Sequence, residues 1–298
     1  MLSAIAFYGA LETGLIYALV AFSIFLSFRV LDFPDLTVDG SLPLGAAVAA
    51  TLILAGWHPW LATFAAMLAG MVAGLVTALL NVKLKILNLL ASILTMTALY
   101  SVNLRIMGKP NVALLGEDTV LTPWQALPVP YYLVSVLLFA LVIAVVLGLL
   151  WLFMKSEIGL AMRATGANPA MARAQGIATG RMIMLGVALA NGLVGLAGAL
   201  FAQSQGSADV TMGVGAIVIG LASVIGGEAI LNPKTVLRAL VGCVVGAVVY
   251  RLAIALALNG DFMGLKAQDL NLITAVLVTL AIVLPGVRRG VQLRRGKP

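Results

Sequence analysis

The chain has 298 residues, of which 62% are hydrophobic and only 10% are charged, and its mean hydropathy is +1.12. A soluble domain carries about 25% charged residues, so this composition excludes an ordinary water-soluble globular protein. The formal net charge of +7 could indicate a nucleic-acid-binding protein, but the positions of the basic residues favour a membrane topology signal instead.

Nine apolar segments predict an all-α polytopic membrane protein, because runs of about 20 apolar residues are typical of membrane-spanning helices. In chain order they are 3–28, 41–56, 59–80, 86–107, 131–154, 179–203, 212–226, 234–257 and 269–286. The first has no basic region before it and contains Glu12, so we expect it to remain as a helix and not to be a cleaved signal peptide. We predict a single transmembrane domain over residues 1–298.

The loops between these segments carry aromatic anchors. The turn 57–60, reading WHPW, is predicted to lie at the outer membrane surface. It contains the one histidine, His58, which we interpret as structural or solvated and not as a ligand. Loop 108–130 is the longest outer segment and could contact a substrate-delivering protein, although an ordinary structured loop is an equal alternative.

The longest polar interruption is Lys155–Arg181, which is much longer than a tether between two spans requires. Asn168 can cap a helix, Pro169 suits the first helical position, and Gly176 suits the end of a helix. We therefore predict a helix of about two turns over Pro169–Gln175. We interpret this helix as a docking element for a soluble partner, because it lies between two membrane spans.

The distribution of basic residues predicts the topology. If Lys155–Arg181 is cytoplasmic, most of the 18 Lys and Arg residues fall at the inner boundary. The exceptions, outside or within the membrane, are Arg105, Lys109, Arg251 and Lys266. The N-terminus is then outside and the C-terminus cytoplasmic.

An internal repeat is visible as matched Leu, Gly, Val, Asp and Asn positions in the same order along the chain. The matched stretches are 39–48 with 209–218, 68–80 with 240–252, and 87–94 with 270–277. An odd number of spans separates the members of each pair, so the halves, roughly 1–107 and 179–286, would be inverted relative to each other. Inverted repeats are typical of transporters, and the weak second and seventh segments indicate broken helices beside a pathway.

No catalytic constellation is found, and we expect no enzymatic activity, cofactor or metal site. The sequence has no CxxC, no HExxH and no phosphate-binding loop, since Gly108-Lys109 and Gly296-Lys297 are each followed by proline. If transport is driven by ATP, the ATPase is a separate chain.

Polar residues inside apolar segments are the next candidates, because such groups are costly in a bilayer. Glu12, Arg105 and Arg251 lie near the membrane surfaces and could snorkel or pair with one another. The candidates for lining a translocation path are Asp39, Asn88, Asn191 and Asp209. Asn103 could also bond between helices. The paired glycines Gly70/Gly74 and Gly242/Gly246 would allow close helix packing or form a dimer face.

Two stretches carry a resemblance to a known family. Residues 14–21, reading GLIYALVA, followed by Leu31-Asp32-Phe33, resemble the start of permease subunits of bacterial ABC importers in the branched-chain amino acid and ribose permease superfamily. The polar stretch also resembles the loop by which these permeases contact their ATPases. The coupling residues implied are Gly159, Arg163, Ala164, Gly166, Asn168, Pro169, Ala172, Arg173 and Gly176.

Leu31–Leu44 is closer to an uncharacterised branch of that superfamily, which is linked to lipoprotein-type binding proteins and, in some members, to aromatic amino acid uptake. Asp35–Gly40 occupies the region where many branched-chain permeases have Asn-Phe-Ala-His-Gly. Carrying over branched-chain specificity is therefore not justified.

The resemblance implies a bacterial inner-membrane permease that acts as a dimer, which we interpret as a homodimer. Its partners would be two cytoplasmic ATPases and a periplasmic or lipoprotein binding protein. It would move a small solute, such as an amino acid, into the cytoplasm. Two alternatives stay open at this stage. One is a secondary active transporter with inverted repeats, and the other is a scaffolding membrane protein.

Overall fold

Helices make up nearly all of the regular structure in the computed structural model, which describes residues 4–124, 130–259 and 279. The α-helices in the described ranges are α1 (Ala4–Ile24), α2 (Val38–Leu54), α3 (Pro59–Val82), α4 (Asn88–Met107), α5 (Tyr131–Lys155), α6 (Glu157–Ala167), α7 (Pro169–Ala174), α8 (Thr179–Gln205), α9 (Ala216–Leu231) and α10 (Val236–Asn259). A π-helix, Phe25–Val30, continues α1, and a 3-10 turn lies at Thr122–Trp124.

Six of the described helices are long and apolar enough to cross a membrane: α1 with its π-helix, α3, α4, α5, α8 and α10. Eight of the nine predicted apolar segments therefore correspond to a helix, counting α2 and α9, and the ninth, 269–286, lies outside the described residues. This confirms the all-α polytopic membrane class.

Helices α2 and α9 are shorter than the others. They have 17 and 16 residues, about 25 Å each, whereas the hydrocarbon core of a bilayer is about 30 Å thick. Each helix is shorter than that thickness, and tilting it would reduce its reach across the membrane further. They correspond to the weak second and seventh segments and are each continuous, and the interpretation of those segments as broken helices beside a pathway stays a prediction.

Local sequence explains several helix ends. Pro59 begins α3, and His58 caps this helix by accepting a hydrogen bond from the Trp60 backbone N–H at 3.3 Å. The structural interpretation of His58 is thus confirmed. Gly108 and Gly206, both at φ 69°, follow α4 and α8 in the left-handed conformation that glycine adopts without strain.

Helices α1 and α8 are the most buried of the long helices. Helix α8 packs against α2 and α3, and α1 packs against α9 and α10. The core along α1 is continuous, with Tyr17, Phe22 and Leu26 almost fully buried. Helix α5 packs on α1 and leaves large apolar side chains exposed, as expected for a helix at the lipid boundary.

Small residues bring these helices close together. A Cβ atom at Gly45 or Gly70 would collide with the backbone of α8 at Gly195 or Asn191, and a Cβ atom at Gly74 would come within 2.8 Å of the Asn191 Cβ. Transmembrane helices associate through such close contacts, because lipid provides no hydrophobic force between them.

The second glycine pair also allows close helix packing, in this case between α10 and α9. Gly242 and Gly246 of α10 pack against Gly227 and Ser223 of α9. Both pairs are therefore covered within one chain, which confirms close helix packing as their use. The inverted repeat itself stays a prediction, and its third matched pair includes 270–277, outside the described residues.

Two short strands join distant loops at the end of the molecule opposite α7. Strand β1 (Asn111–Ala113) pairs antiparallel with β2 (Ser207–Asp209), with Asn111 opposite Asp209. The loop after α4 is thereby fastened to the end of α8. Asp209 is the last residue of β2, ahead of α9, whereas its predicted repeat partner Asp39 lies inside the first turn of α2.

Replacing Gly74 by Val should destabilise the protein by about 1–3 kcal/mol or more, because an added side chain collides with α8. Thermal unfolding of the purified protein in mild detergent measures this loss. Gly148→Val is the matched control, since a Cβ at Gly148 in α5 meets nothing within 4 Å. Equal melting temperatures for the two variants would contradict the packing assigned to Gly74.

Candidate functional site

A buried polar junction lies where the chain is not helical, between the π-helix and α2. The Asp35 carboxyl group in this segment is fully buried. It accepts hydrogen bonds from the Thr37 backbone N–H at 2.9 Å and from Asn191 Nδ2 at 2.6 Å. The carboxyl group thus accepts a hydrogen bond from a backbone N–H at the start of α2 and joins this end of the helix to the middle of α8.

Asn191 is the centre of this junction. Besides donating to Asp35, its Nδ2 donates to the Val187 carbonyl at 3.0 Å, and its Oδ1 accepts from Ser41 Oγ at 2.7 Å. The amide therefore uses both its donors and its acceptor within the protein. One side chain of α8 holds both the buried segment and the first turn of α2.

A further bond extends the junction to α3. The hydroxyl groups of Thr37 and Thr77 lie 2.8 Å apart, and both residues are fully buried. Helices α2, α3 and α8 and the segment 31–37 are thus connected by side-chain hydrogen bonds as well as by the glycine contacts of α3.

Asp39 connects the two short helices. Its carboxylate lies in the first turn of α2 and accepts hydrogen bonds from the backbone N–H groups of Ile217 at 2.9 Å and Gly215 at 3.3 Å, at the start of α9. Those N–H groups have no partner within α9, and a negative charge there is favoured by the helix dipole. The starting ends of α2 and α9 are therefore fastened to each other.

The four predicted path residues do not lie together. Asp39 and Asn191 belong to the region around the start of α2. Asn88 is instead the first residue of α4, where its Oδ1 accepts from Asn81 Nδ2 at 2.5 Å, near the end of α3. Asp209 lies at the end of β2, where hydrogen bonds from the Thr211 hydroxyl and backbone N–H lower its pKa. Whether any of them lines a path stays a prediction.

Sequence analysis missed Asp35, Ser41, Thr37 and Thr77 as site residues. A signal for Asp35 was present, because an acidic residue after Pro34 separates two apolar segments and precedes a helix start by a few positions. Nothing in the local sequence distinguishes Thr77 from the other threonines of the spans, because its partner comes from a different helix.

The helix predicted in the polar interruption is present as α7. Asn168 caps it, since Oδ1 accepts from the N–H groups of Ala170 at 3.1 Å and Met171 at 3.0 Å. Pro169 is its first residue, Gln175 follows its last residue, and Gly176 has φ 82°. The predicted span and its end are confirmed.

A second helix in this segment, α6, was not predicted. Ser156 caps it by accepting from the Gly159 N–H at 3.3 Å. A Cβ at Gly159 would collide with Phe153 and Met154, so this glycine permits the tight connection between α5 and α6. The two glycines within α6 obscured it in the sequence, because glycine weakens an isolated helix.

Burial divides the implied coupling residues into two groups. Gly159 and Ala172 are buried, and Ala164 and Gly166 are partly buried. The exposed members are Arg163, Asn168, Pro169, Arg173 and Gly176. Met171, which the sequence analysis did not single out, exposes 63% of its surface on α7.

Helix α6 contacts the π-helix directly. A Cβ at Gly166 would collide with the carbonyl of Val30 and approach Leu31. On its other side, the π-helix contacts α9 through Arg29, whose Nε donates to Glu228 Oε1 at 2.8 Å and whose Nη2 donates to the second oxygen. A displacement of α6 therefore acts on the residues that lead into the Asp35 junction.

The intramembrane charges Glu12 and Arg251 have separate partners. Glu12 in α1 accepts hydrogen bonds from the hydroxyl groups of Ser204 and Ser135. The Arg251 guanidinium lies over the Tyr17 ring, 4.0 Å from its centroid. Both side chains thus bond between spans. No group of three His, Cys, Asp or Glu side chains able to hold a metal occurs in the described ranges.

Comparison with known proteins points to one family. A family model described as "Branched-chain amino acid transport system / permease component" matches residues 7–284. The "Tyrosine transport system permease protein" of Clostridioides difficile strain R20291 is 37% identical over 265 residues, which cover 89% of this chain and 86% of the relative. An uncharacterized protein of Rickettsia prowazekii strain Madrid E is 35% identical over 286 residues, covering 94% and 97%. No solved structure matches the chain.

Replacing Asn191 by Leu should lower the free energy of unfolding by about 2–4 kcal/mol, because the carboxyl group of Asp35 and the hydroxyl of Ser41 would each lose a partner in a buried site. Denaturant unfolding in mild detergent gives this value. Asn103→Leu is the control, since Asn103 donates to the Gly40 carbonyl at 3.2 Å and its Oδ1 accepts no hydrogen bond within the described ranges. A smaller loss for N191L than for N103L would contradict the central position of Asn191.

Proposed function

Because the chain belongs to the family of branched-chain amino acid transport system permease components, we propose that it is the non-catalytic, membrane-spanning subunit of an ABC importer. It would move a small solute from a periplasmic or lipoprotein binding protein into the cytoplasm. The observation that carries the proposal is the capped helix α7, exposed between two spans and in contact, through α6, with the π-helix. A chain without a phosphate-binding loop needs such a surface to receive energy from an ATPase.

An amino acid, and an aromatic one first, is the proposed solute. The C. difficile relative is named for tyrosine transport and is similar over most of both chains. The carboxyl groups of Asp35 and Asp39 agree with an uncharged or zwitterionic solute, because both already accept hydrogen bonds from protein donors. A cationic solute would require carboxylates left available for it.

The ATPase would bind the exposed side of α7. Met171 and Arg173 supply an apolar and a cationic contact there, with Pro169 beside them and Arg163 on α6, while buried Ala172 anchors the helix to the membrane domain. Asn168 and Gly176 define the ends of α7, so that it can move as a rigid body. Gly159, Ala164 and Gly166 would pass that movement to α5 and the π-helix.

The remaining partners follow from the same assembly. A second permease, most simply another copy of this chain, would complete the path. The binding protein would contact the end of the molecule that includes the paired strands β1 and β2, at the outer surface. In this arrangement the protein would lie in a bacterial inner membrane, with its N-terminus outside and its C-terminus in the cytoplasm. It retains the two inverted halves, about 1–107 and 179–286, on either side of the coupling loop 155–181.

Proteoliposomes that contain the permease, the ATPase from the same operon and the binding protein should accumulate labelled tyrosine only when ATP is hydrolysed. A catalytically inactive ATPase is the control for leakage. Uptake that continues without any ATPase and stops when a proton gradient is removed would contradict the proposal and favour a secondary transporter. Competition by unlabelled leucine and tyrosine then compares the two amino acid classes.

Replacing Met171 by Glu should reduce co-purification of the ATPase by about 10-fold or more, because an exposed anchor residue at an interface carries a large share of the binding energy. The matched control is Leu87→Glu, which places the same charge on a residue that is 77% exposed at the start of α4. Equal loss in both variants, or loss in neither, would contradict docking on α7.

A further inference from the structure

A cleft of about 480 Å³ opens where the end of α3 meets the start of α8, on the same side of the membrane as α7. Three cationic side chains line it: Lys83 after α3, Arg173 on α7 and Arg181 in the first turn of α8. Its apolar wall includes Val82 and Met184. All three cations are exposed, so a ligand can reach them.

The charge of this cleft is not balanced by the protein. No carboxylate lines it, and none of its three cations forms an ion pair with a described residue. A larger cleft nearby, of about 880 Å³, differs in this respect, because its Arg29 is paired with Glu228 and Asp32 also lines it. The smaller cleft therefore calls for an anion.

An apolar surface leads from the bilayer to these cations. Along one face of α3, Val72 is 60%, Val76 44% and Leu79 37% exposed. Their spacing of four and three residues places them in one row on the helix, and the row runs toward Lys83. In a membrane this row faces hydrocarbon, and the cleft at its end lies at headgroup depth.

We propose that this cleft binds the phosphate group of an anionic phospholipid, with an acyl chain along the row on α3. The phosphate supplies the missing negative charge, and basic pockets at the ends of spanning helices are suited to such headgroups. A free phosphate ion would use the cations but not the apolar row. The bound lipid would stabilise the connection between α7 and α8, where Arg173 and Arg181 lie on either side of Gly176.

Native mass spectrometry of the full-length protein, titrated with phosphatidylglycerol and with phosphatidylcholine, tests the proposal. Wild-type protein should bind phosphatidylglycerol in preference. The double variant Lys83→Gln, Arg181→Gln should bind it about 30-fold more weakly, since each basic residue near anionic lipid contributes about fivefold. Neither substitution touches α7, so the docking helix is intact in this variant.

The control is the double variant Lys85→Gln, Lys234→Gln, which removes the same charge from positions that do not line the cleft. It should bind within about twofold of wild type, because only surface charge has changed. The conservative variant Lys83→Arg, Arg181→Lys should retain binding, and the melting temperature of every variant in detergent shows that it is folded.

Three results would overturn the proposal. The first is equal affinity of the wild-type protein for the two lipids. The second is displacement of phosphatidylglycerol by inorganic phosphate at a concentration similar to that of the lipid, which would indicate a phosphate ion site. The third is unchanged lipid affinity in K83Q/R181Q, and loss of the co-purifying ATPase in the same variant would then make the cleft a protein contact.

Discussion

The rest of this structure depends on satisfying the polar backbone of residues 31–37 inside a membrane domain. A bilayer has no water to bond exposed N–H and C=O groups, so non-helical backbone is tolerated only where protein surrounds it. Here the Phe33 N–H donates to the Ser27 carbonyl at 2.8 Å, and the Thr37 N–H donates to Asp35. The Asp35 carboxyl group that accepts this hydrogen bond is itself a buried polar group, and it requires the hydrogen bond that Asn191 donates to it.

This requirement determines the positions of the neighbouring helices. Asn191 can reach Asp35 and Ser41 only if α8 lies close to α2, and Gly45, Gly195 and Gly198 allow the two backbones to approach. Helix α3 joins them through Gly70 and Gly74. Hydrogen bonding and small-residue packing thus act on the same interface, and each would be weaker without the other.

The polar segment Lys155–Arg181 is connected to this interface by backbone packing and not by a long chain of side chains. Gly166 of α6 lies against Val30, five residues before Asp35, and Arg29 joins the same π-helix to Glu228 of α9. A π-helix is a less regular element than an α-helix and is frequent at functional sites. Movement of α6 would therefore change the surroundings of Asp35 and, through Asp39, the relative positions of α2 and α9.

The amino-acid sequence by itself determined the membrane class, the helical segments and the capped helix α7, because hydropathy, Asn168, Pro169 and Gly176 act within a few residues. It also indicated Asp39 and Asn191 as costly polar residues. Only the tertiary structure decided their partners, separated Asn88 and Asp209 from them, and identified Asp35 and Thr77. The physical reason is that a buried polar group is stabilised by whichever donor or acceptor the folded chain brings within about 3 Å, and for Asp35 and Asn191 those partners are 156 residues apart in sequence.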